Sequence, residues 1–201
     1  MRKMAFNIKK SCFVKSATKP SHFPNDIYPE YFFAGKSNAG KSSLLNKICN
    51  RKNLAITSKK PGRTQLINFF LINNNISFVD IPGYGYASTP KKIIITWEDM
   101  INAYLSTRKK IICMFIAVDI RRGIEELDKS MINLCLSHNI NVNIVMTKSD
   151  KVSNSEKTQK KNKAKDCIKE FPNILSVNTF SAKTGEGVNL ILKIFENFSE
   201  N

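Results

Sequence analysis

The sequence predicts an α/β fold of three layers: a mostly parallel six-stranded sheet with one antiparallel strand, and helices on both faces. Three observations predict it. From Tyr31 onward, short apolar runs alternate with helical stretches, the order that builds a parallel sheet covered on both sides. The link LINNNIS, 71–77, is too short for a crossover and reads as a hairpin, which turns one strand against the rest. The eight glycines, at 35, 40, 62, 83, 85, 123, 185 and 187, fall at strand ends and in loops, outside every proposed helix before the last.

Taken in order, residues 1–30 form a basic extension, with six basic side chains before position 20, no acid until Asp26, and prolines at 20, 24 and 29. One added strand is expected near CFVKSA. The domain proper spans 31–201. Its strands are YFFAG (31–35), INFFLI (67–72), ISFVDI (76–81), IICMFIAVD (111–119), NVNIVMT (141–147) and ILSVNTF (174–180). Its helices are 41–50, 91–107, 125–138, 154–170 and 187–198. The lysine-rich helix 154–170 reads equally well as a solvated face or an RNA contact.

Composition narrows the function. A chain of 201 residues, 42% hydrophobic, holds one domain and a sizeable core. No run approaches the length of a membrane span, and the charged N-terminus is unlike a secretory signal. Five scattered cysteines without a CxxC pair, and two histidines, give no metal-site spacing and suggest reduced core thiols in a cytoplasmic protein. Against 16 acids stand 32 bases, a net charge of +16. That excess favours a polyanionic partner, RNA before DNA or membrane.

The chemistry lies in GKSNAGKS, Gly35 to Ser42, which follows a strand and opens a helix as G-x-x-x-x-G-K-[ST] requires. Its backbone N–H groups can curl around phosphate oxygens at a helix N-terminus. Lys41 then reaches the β- and γ-phosphates and the Ser42 hydroxyl ligates Mg²⁺. Asp80 closes a strand ahead of Pro82 and Gly83, facing magnesium with a glycine N–H free for the γ-phosphate. Thr64, in SKKPGRTQ between these elements, supplies a second hydroxyl to magnesium, and Pro61 and Gly62 let that segment move. Asp150 of TKSD, 147–150, can accept from both guanine donors, and Lys148 can lay its stem along the ring. In FSAKTGEG, 180–187, the Ala182 N–H is placed to donate to guanine O6, with Ser181 shaping the turn.

With these elements in order, the sequence resembles the TRAFAC-class GTPases of the TrmE-Era-EngA-EngB-Septin-like superfamily. Within them it is similar to the EngB/YihA/YsxC family of ribosome-assembly GTPases. GKSNAGKSSLLN (35–46), TSKKPGRTQLINFF (57–70), VDIPGYGYA (79–87), TKSDK (147–151) and FSAKTG (180–185) carry the resemblance, from about residue 10 to 198. It implies a P-loop GTPase domain hydrolysing GTP to GDP and phosphate, a switch acting late in large-ribosomal-subunit assembly. It also implies a link to normal cell division and septation. The implied nucleotide contacts are Gly35, Lys36, Ser37, Asn38, Ala39, Gly40, Lys41 and Ser42 in the P-loop. Gly62, Arg63, Thr64, Gln65 and Leu66 follow, then Asp80, Ile81, Pro82 and Gly83. Thr147, Lys148, Ser149, Asp150, Phe180, Ser181 and Ala182 close the set. Catalysis falls to Lys41, Thr64 and Gly83, and metal binding to Ser42 and Thr64, with Asp80 acting through water. Lys36 stands where the family often has arginine, Thr147 where most GTPases have asparagine, and SAK where the family frequently has SS.

Tyr84 occupies the place of the water-positioning glutamine of many such enzymes, and its ring is expected to point away from the phosphate. Asn38 matches the asparagine that ligates potassium in cation-dependent relatives, so K⁺ stimulation is expected; a purely loop-stabilising Asn38 is the alternative. Unassisted turnover should be on the order of 10⁻³ s⁻¹ or below. The competing function is an RNA-binding assembly factor whose nucleotide site is mainly structural. A monomer is expected, with pre-ribosomal particles and rRNA as partners.

Overall fold

A computed structural model describes residues 8–25, 27–55, 66–85 and 91–199, without the side chains of 91–96 and 197–199. Its sheet has seven strands rather than six. These are β1 (Ser11–Ala17), β2 (Glu30–Gly35), β3 (Ile67–Ile72), β4 (Ile76–Asp80), β5 (Ile111–Asp119), β6 (Asn141–Thr147) and β7 (Ile174–Thr179). The order across the sheet is β1-β3-β4-β2-β5-β6-β7. Only β3 runs against the rest, pairing antiparallel with both β1 and β4. The seventh strand is the one suspected in the basic extension, and it pairs Ser11 with Ile72 and Ala17 with Ile67.

The reversal is made by three asparagines. Asn73 and Asn74 take positive φ, 49° and 63°, and the Asn75 N–H donates to the Ile72 carbonyl at 3.1 Å. Positive φ at both central residues matches a tight turn to the right-handed twist of its strands. Asn73 also anchors the incoming chain, since its Oδ1 accepts from the Lys9 and Lys10 N–H groups at 2.9 and 3.1 Å.

The strands are almost continuously apolar because both faces are buried. In β2, Tyr31 and Phe33 face one core and Phe32 and Ala34 the other. Helices α1 (Lys41–Ile48) and α5 (Val188–Ser199) cover the first face, where Phe195 packs on Tyr31, Phe78 and Phe115. The second face carries α2 (Lys91–Thr107), α3 (Glu126–Ser137) and α4 (Asn154–Cys167). Helix α4 stops three residues before its predicted end, as Ile168 leaves helical geometry and buries itself in the core. Cys49, Cys113 and Cys135 are buried as expected, but Cys12 is exposed on β1; all five thiols are free. Among the described residues, no helix is long and apolar enough to cross a membrane.

Composition did not flag Glu30. It is buried at the start of β2, where Arg108 binds it through two nitrogens at 2.5 and 3.0 Å and the Tyr104 hydroxyl donates at 2.7 Å. Arg108 also donates to the Pro24 carbonyl at 2.7 Å. The chain before β2 is thereby tied to the end of α2.

Candidate nucleotide-binding site

The parallel strands β2, β4, β5, β6 and β7 end at one edge of the sheet, where an open α/β sheet binds ligands. The loops after these five strands meet there. The first leaves β2 at Gly35 and enters α1 at Lys41. Gly40 caps α1 with φ 94°, and a Cβ there would lie 3.2 Å from the Thr147 hydroxyl. A larger residue would carry both a strained backbone and a crowded neighbour. Asn38 also takes positive φ, 64°.

The loop is held from two sides. The Thr147 hydroxyl lies within hydrogen-bonding reach of the Ala39 carbonyl and, at 3.2 Å, the Val118 carbonyl. Lys148 donates through Nζ to the Asn38 carbonyl at 2.7 Å and pairs with Asp119 at 2.9 Å. On the other side, Ser37 N–H donates to the Tyr84 carbonyl at 2.8 Å, and Tyr84 N–H to the Gly35 carbonyl at 3.3 Å. Lys36 ion-pairs with Glu125 at the start of α3.

Lys41, on the first turn of α1, forms an ion pair with Asp80 at the end of β4. The two residues read as phosphate- and magnesium-directed groups therefore meet, although 39 positions apart. Ser42 lies beside Lys41 on the same half-buried turn. After Asp80 the chain buries Ile81, whose N–H donates to the Phe33 carbonyl at 3.1 Å, and Pro82, whose carbonyl accepts from the Trp97 indole at 3.1 Å. Gly83 follows, between this anchored pair and Tyr84. Gly62, Arg63, Thr64 and Gln65 lie outside the described residues; Leu66 is exposed just before β3.

Tyr84 points inward. Its ring is buried in an edge-on contact with Trp97 at 6.0 Å, and its hydroxyl donates to Asp128 at 2.6 Å. Asp128 in turn accepts from the Glu125 N–H at 3.0 Å, closing the capping box of α3. Burial raises the Asp128 carboxyl above its usual range, against the lowering effect of the Tyr84 hydrogen bond. Burial, with the Asp128 charge beside it, also raises the phenol well above its ordinary value.

The TKSD and FSAKTGEG loops interlock. Ser149 N–H donates to the Phe180 carbonyl at 3.1 Å, and the Phe180 N–H to the Met146 carbonyl at 2.8 Å. The Ser181 hydroxyl donates to Asp150 at 2.6 Å and lowers its carboxyl pKa. Ala182 follows, half-buried against the α1/α5 core. Glu186 accepts from Ser149, Thr179 and Lys157 at 3.0, 2.9 and 2.7 Å. Burial opposes its charge, but those three donors win and its pKa falls. Asp119 behaves likewise: burial works against ionisation, while hydrogen bonds from Arg121 and Lys148 hold the carboxyl well below its ordinary value.

Sequence reading missed Asp119, Glu125, Asp128 and Glu186 as parts of the site. Asp119 had a signal, since it closes an apolar strand as Asp80 does. The others act across helix and loop boundaries that no spacing reveals.

A family model described as a 50S ribosome-binding GTPase matches residues 30–148. A probable GTP-binding protein EngB of Geobacter metallireducens is 48% identical over 147 residues, covering 73% of this chain and 72% of that protein. The chain belongs to the EngB family of GTP-binding proteins. Its Haemophilus influenzae relative of that name is 40% identical over 188 residues, 94% of this chain and 92% of that one. The crystal structure of a probable GTP-binding protein EngB matches with a TM-score of 0.68 and 25% identity, covering 86% of this chain and all (100%) of that one. Era in complex with MgGDPNP and nucleotides 1506–1542 of 16S ribosomal RNA shares the fold, with a TM-score of 0.64, 22% identity, and 85% and 56% coverage.

EngB membership brings GTP and GDP as ligands, GTP hydrolysis as the family activity, and Mg²⁺ as the usual companion. The donor set fits that ion. Asp80 is a buried carboxylate that already draws a cation, Lys41, and the Ser42 hydroxyl lies next along α1. Carboxylate, hydroxyl and phosphate oxygens are the hard ligands Mg²⁺ takes.

Proposed function

We propose that this protein is a GTP-driven switch in late assembly of the large ribosomal subunit, hydrolysing GTP to GDP and phosphate. The observation that carries the nucleotide part is the convergence of Lys41 on Asp80, Lys148 on Asn38 and Asp119, and Ser181 on Asp150. The ribosomal part is supported by the description of the matching family model and by the +16 charge.

In this reading a GTPase domain spans 31–201, and the basic extension 1–30 contributes β1. Residues Gly35 to Ser42 cradle the phosphates. Asp150 and the Ala182 N–H read guanine, with Thr147, Lys148, Ser149, Phe180 and Ser181 shaping that pocket. Ser42 and Thr64 hold Mg²⁺, and Asp80 acts through water; the ion neutralises charge on the β- and γ-phosphate oxygens. Lys41, Thr64 and the Gly83 N–H stabilise the γ-phosphoryl as it leaves, and Gly62 to Leu66 follow that phosphate as the neighbouring segment.

The Tyr84 hydroxyl is committed to Asp128, so water is positioned by another group. That supports a K⁺ ion held through Asn38, or a ribosomal partner, as activator. A cytoplasmic monomer suits this role, and the link to cell division and septation follows from ribosome supply.

The test is co-sedimentation of the protein with ribosomal particles in sucrose gradients under GTP, GDP and no nucleotide. GTP-dependent binding to large-subunit precursors is expected, lost in Lys41→Ala. Nucleotide-independent binding that survives Lys41→Ala overturns the switch. Equal turnover in equimolar KCl and NaCl removes the K⁺ role.

A further inference from the structure

The sheet edge at β1 carries an unusual surface. Among the described residues from 8 to 55 the only acid is Glu30, which is buried and held by Arg108 and Tyr104. Over the same stretch Lys9, Lys10, Lys15, Lys19, Lys47, Arg51 and Lys52 are exposed.

The structure gathers part of this charge on one face. Ser11 and Phe13 pair with Ile72 and Phe70, which belong to the core under α1 and α5. Arg51, just past α1, donates through Nε to the Ser11 hydroxyl at 3.4 Å. Arg51 is fixed by its N–H on the Asn46 carbonyl at 2.8 Å. Lys52 is fixed by its carbonyl, which accepts from the Asn46 side chain at 3.2 Å. Lys47, Arg51 and Lys52 line an open groove of about 420 Å³ that runs toward Ala182. Two residues along β1 from the Ser11 that Arg51 reaches, the Phe13 ring is 54% exposed, propped edge-on against Phe70 at 5.8 Å.

An exposed aromatic on the same sheet edge as a cluster of basic side chains is the arrangement that stacks an unpaired base and tracks its phosphates. Strand addition by a peptide is the other use of an edge. Here Lys9, Lys10 and Lys15 and the irregularity between Phe13 and Lys15 blunt that edge. We propose that Phe13 with Lys47, Arg51 and Lys52 forms a docking surface for single-stranded RNA, Phe13 stacking one base and the three bases taking phosphates. This rests on the ribosomal reading above and names the surface that meets the RNA.

The test uses the full chain and a fluorescein-labelled 12-nucleotide oligouridylate, followed by anisotropy at several KCl concentrations. Phe13→Ala should weaken binding roughly 5- to 150-fold, the worth of one stacked base, while Phe13→Tyr restores it. Arg51→Glu/Lys52→Glu should weaken it at least about tenfold and flatten the salt dependence by about 1.4 in log–log slope, two phosphate contacts at 0.7 each. Lys163→Glu on α4 should leave RNA binding intact, and GDP affinity should hold in every variant as the check on folding. RNA affinity that ignores Phe13 and Arg51/Lys52, or falls only with Lys163→Glu, overturns the proposal. So does a wild-type protein that binds an acidic peptide and no RNA. Loss of GTP binding by the wild-type protein would instead sink the nucleotide reading, a separate outcome.

Discussion

Replacing Tyr84 with phenylalanine removes one oxygen and keeps the ring against Trp97. That oxygen donates at 2.6 Å to Asp128, and both groups are buried. A hydrogen bond to a carboxylate is worth about 1.5–3 kcal/mol, against about 0.5–1.5 for a neutral pair. Asp128 keeps its second bond, from the Glu125 N–H at 3.0 Å, so a loss of about 2 kcal/mol at pH 8 is expected. For a domain of this size that is roughly 4–8 °C in unfolding midpoint. The loss should shrink as pH falls. Burial already raises the Asp128 carboxyl above its ordinary value of 3.8, and the phenol is what draws it back. Without the phenol the acid protonates more readily, and the missing bond becomes a neutral one, worth about 1 kcal/mol. The linkage sign agrees. Between the unfolded value and the raised folded value the fold binds more protons, so the wild-type contribution of Asp128 declines as pH rises through that window. Asp128→Asn should remove that decline. Urea unfolding of wild type, Tyr84→Phe and Asp128→Asn from pH 4.5 to 8 reads all of this. A Tyr84→Phe loss below about 0.5 kcal/mol at pH 8, or one that grows toward pH 4.5, refutes the role given to this bond.

Three further perturbations probe the rest of the site. Asp119 has a depressed carboxyl, so its contribution is present above the ordinary 3.8 and lost as pH falls through the lower folded value. Asp119→Asn should therefore cost about 1–3 kcal/mol at pH 7 and flatten the acid limb of a stability–pH curve; an unchanged acid limb would contradict it. Gly187 sits at φ 81°, and a Cβ there would lie 2.1 Å from the Thr179 carbonyl oxygen. Gly187→Ala should destabilise by more than about 2 kcal/mol in thermal unfolding, the left-handed backbone and the clash adding together. Asp150→Asn should erase most guanine-over-adenine discrimination, on the order of 10⁴-fold for a site built to bind those donors, measured by competition with labelled GDP; retained selectivity would move base reading elsewhere.

The six strands of the main domain, the 71–77 hairpin and the alternation of helices were legible because each is written locally, in apolar runs, turn residues and link lengths. The strand at 11–17 was only suspected, because SCFVKSA is an edge strand whose residues 12–15 are all exposed and give no buried apolar run. What fixes it is remote: Asn73 receiving the Lys9 and Lys10 N–H groups. The loops GKSNAGKS, TKSD and FSAKTGEG could be placed after strands for the same local reason, as short strings that follow apolar runs. Their supports could not. Glu186 joins residues from three elements, and Glu125 reaches Lys36 across 89 positions. A pairing of that kind has no period and no spacing. Only the folded sheet edge brings its ends together.

The departures from common GTPase spelling fall into place through the same contacts. Thr147 stands at the position noted above for asparagine in most GTPases. Its short hydroxyl meets the Ala39 carbonyl because β6 ends against the P-loop, with Gly40 packed on the Thr147 side chain. Lys36 replaces an arginine at a position where one ion pair, to Glu125, closes a ring running through Asp128, Tyr84 and Ser37. Tyr84 holds that ring from inside the core while its backbone fixes the P-loop. The stretch after β4 is thereby bound to α3 through Asp128. Under the activation proposed above, turnover should rise in KCl over equimolar NaCl, or on addition of ribosomal particles, and equal rates in all of these would overturn it.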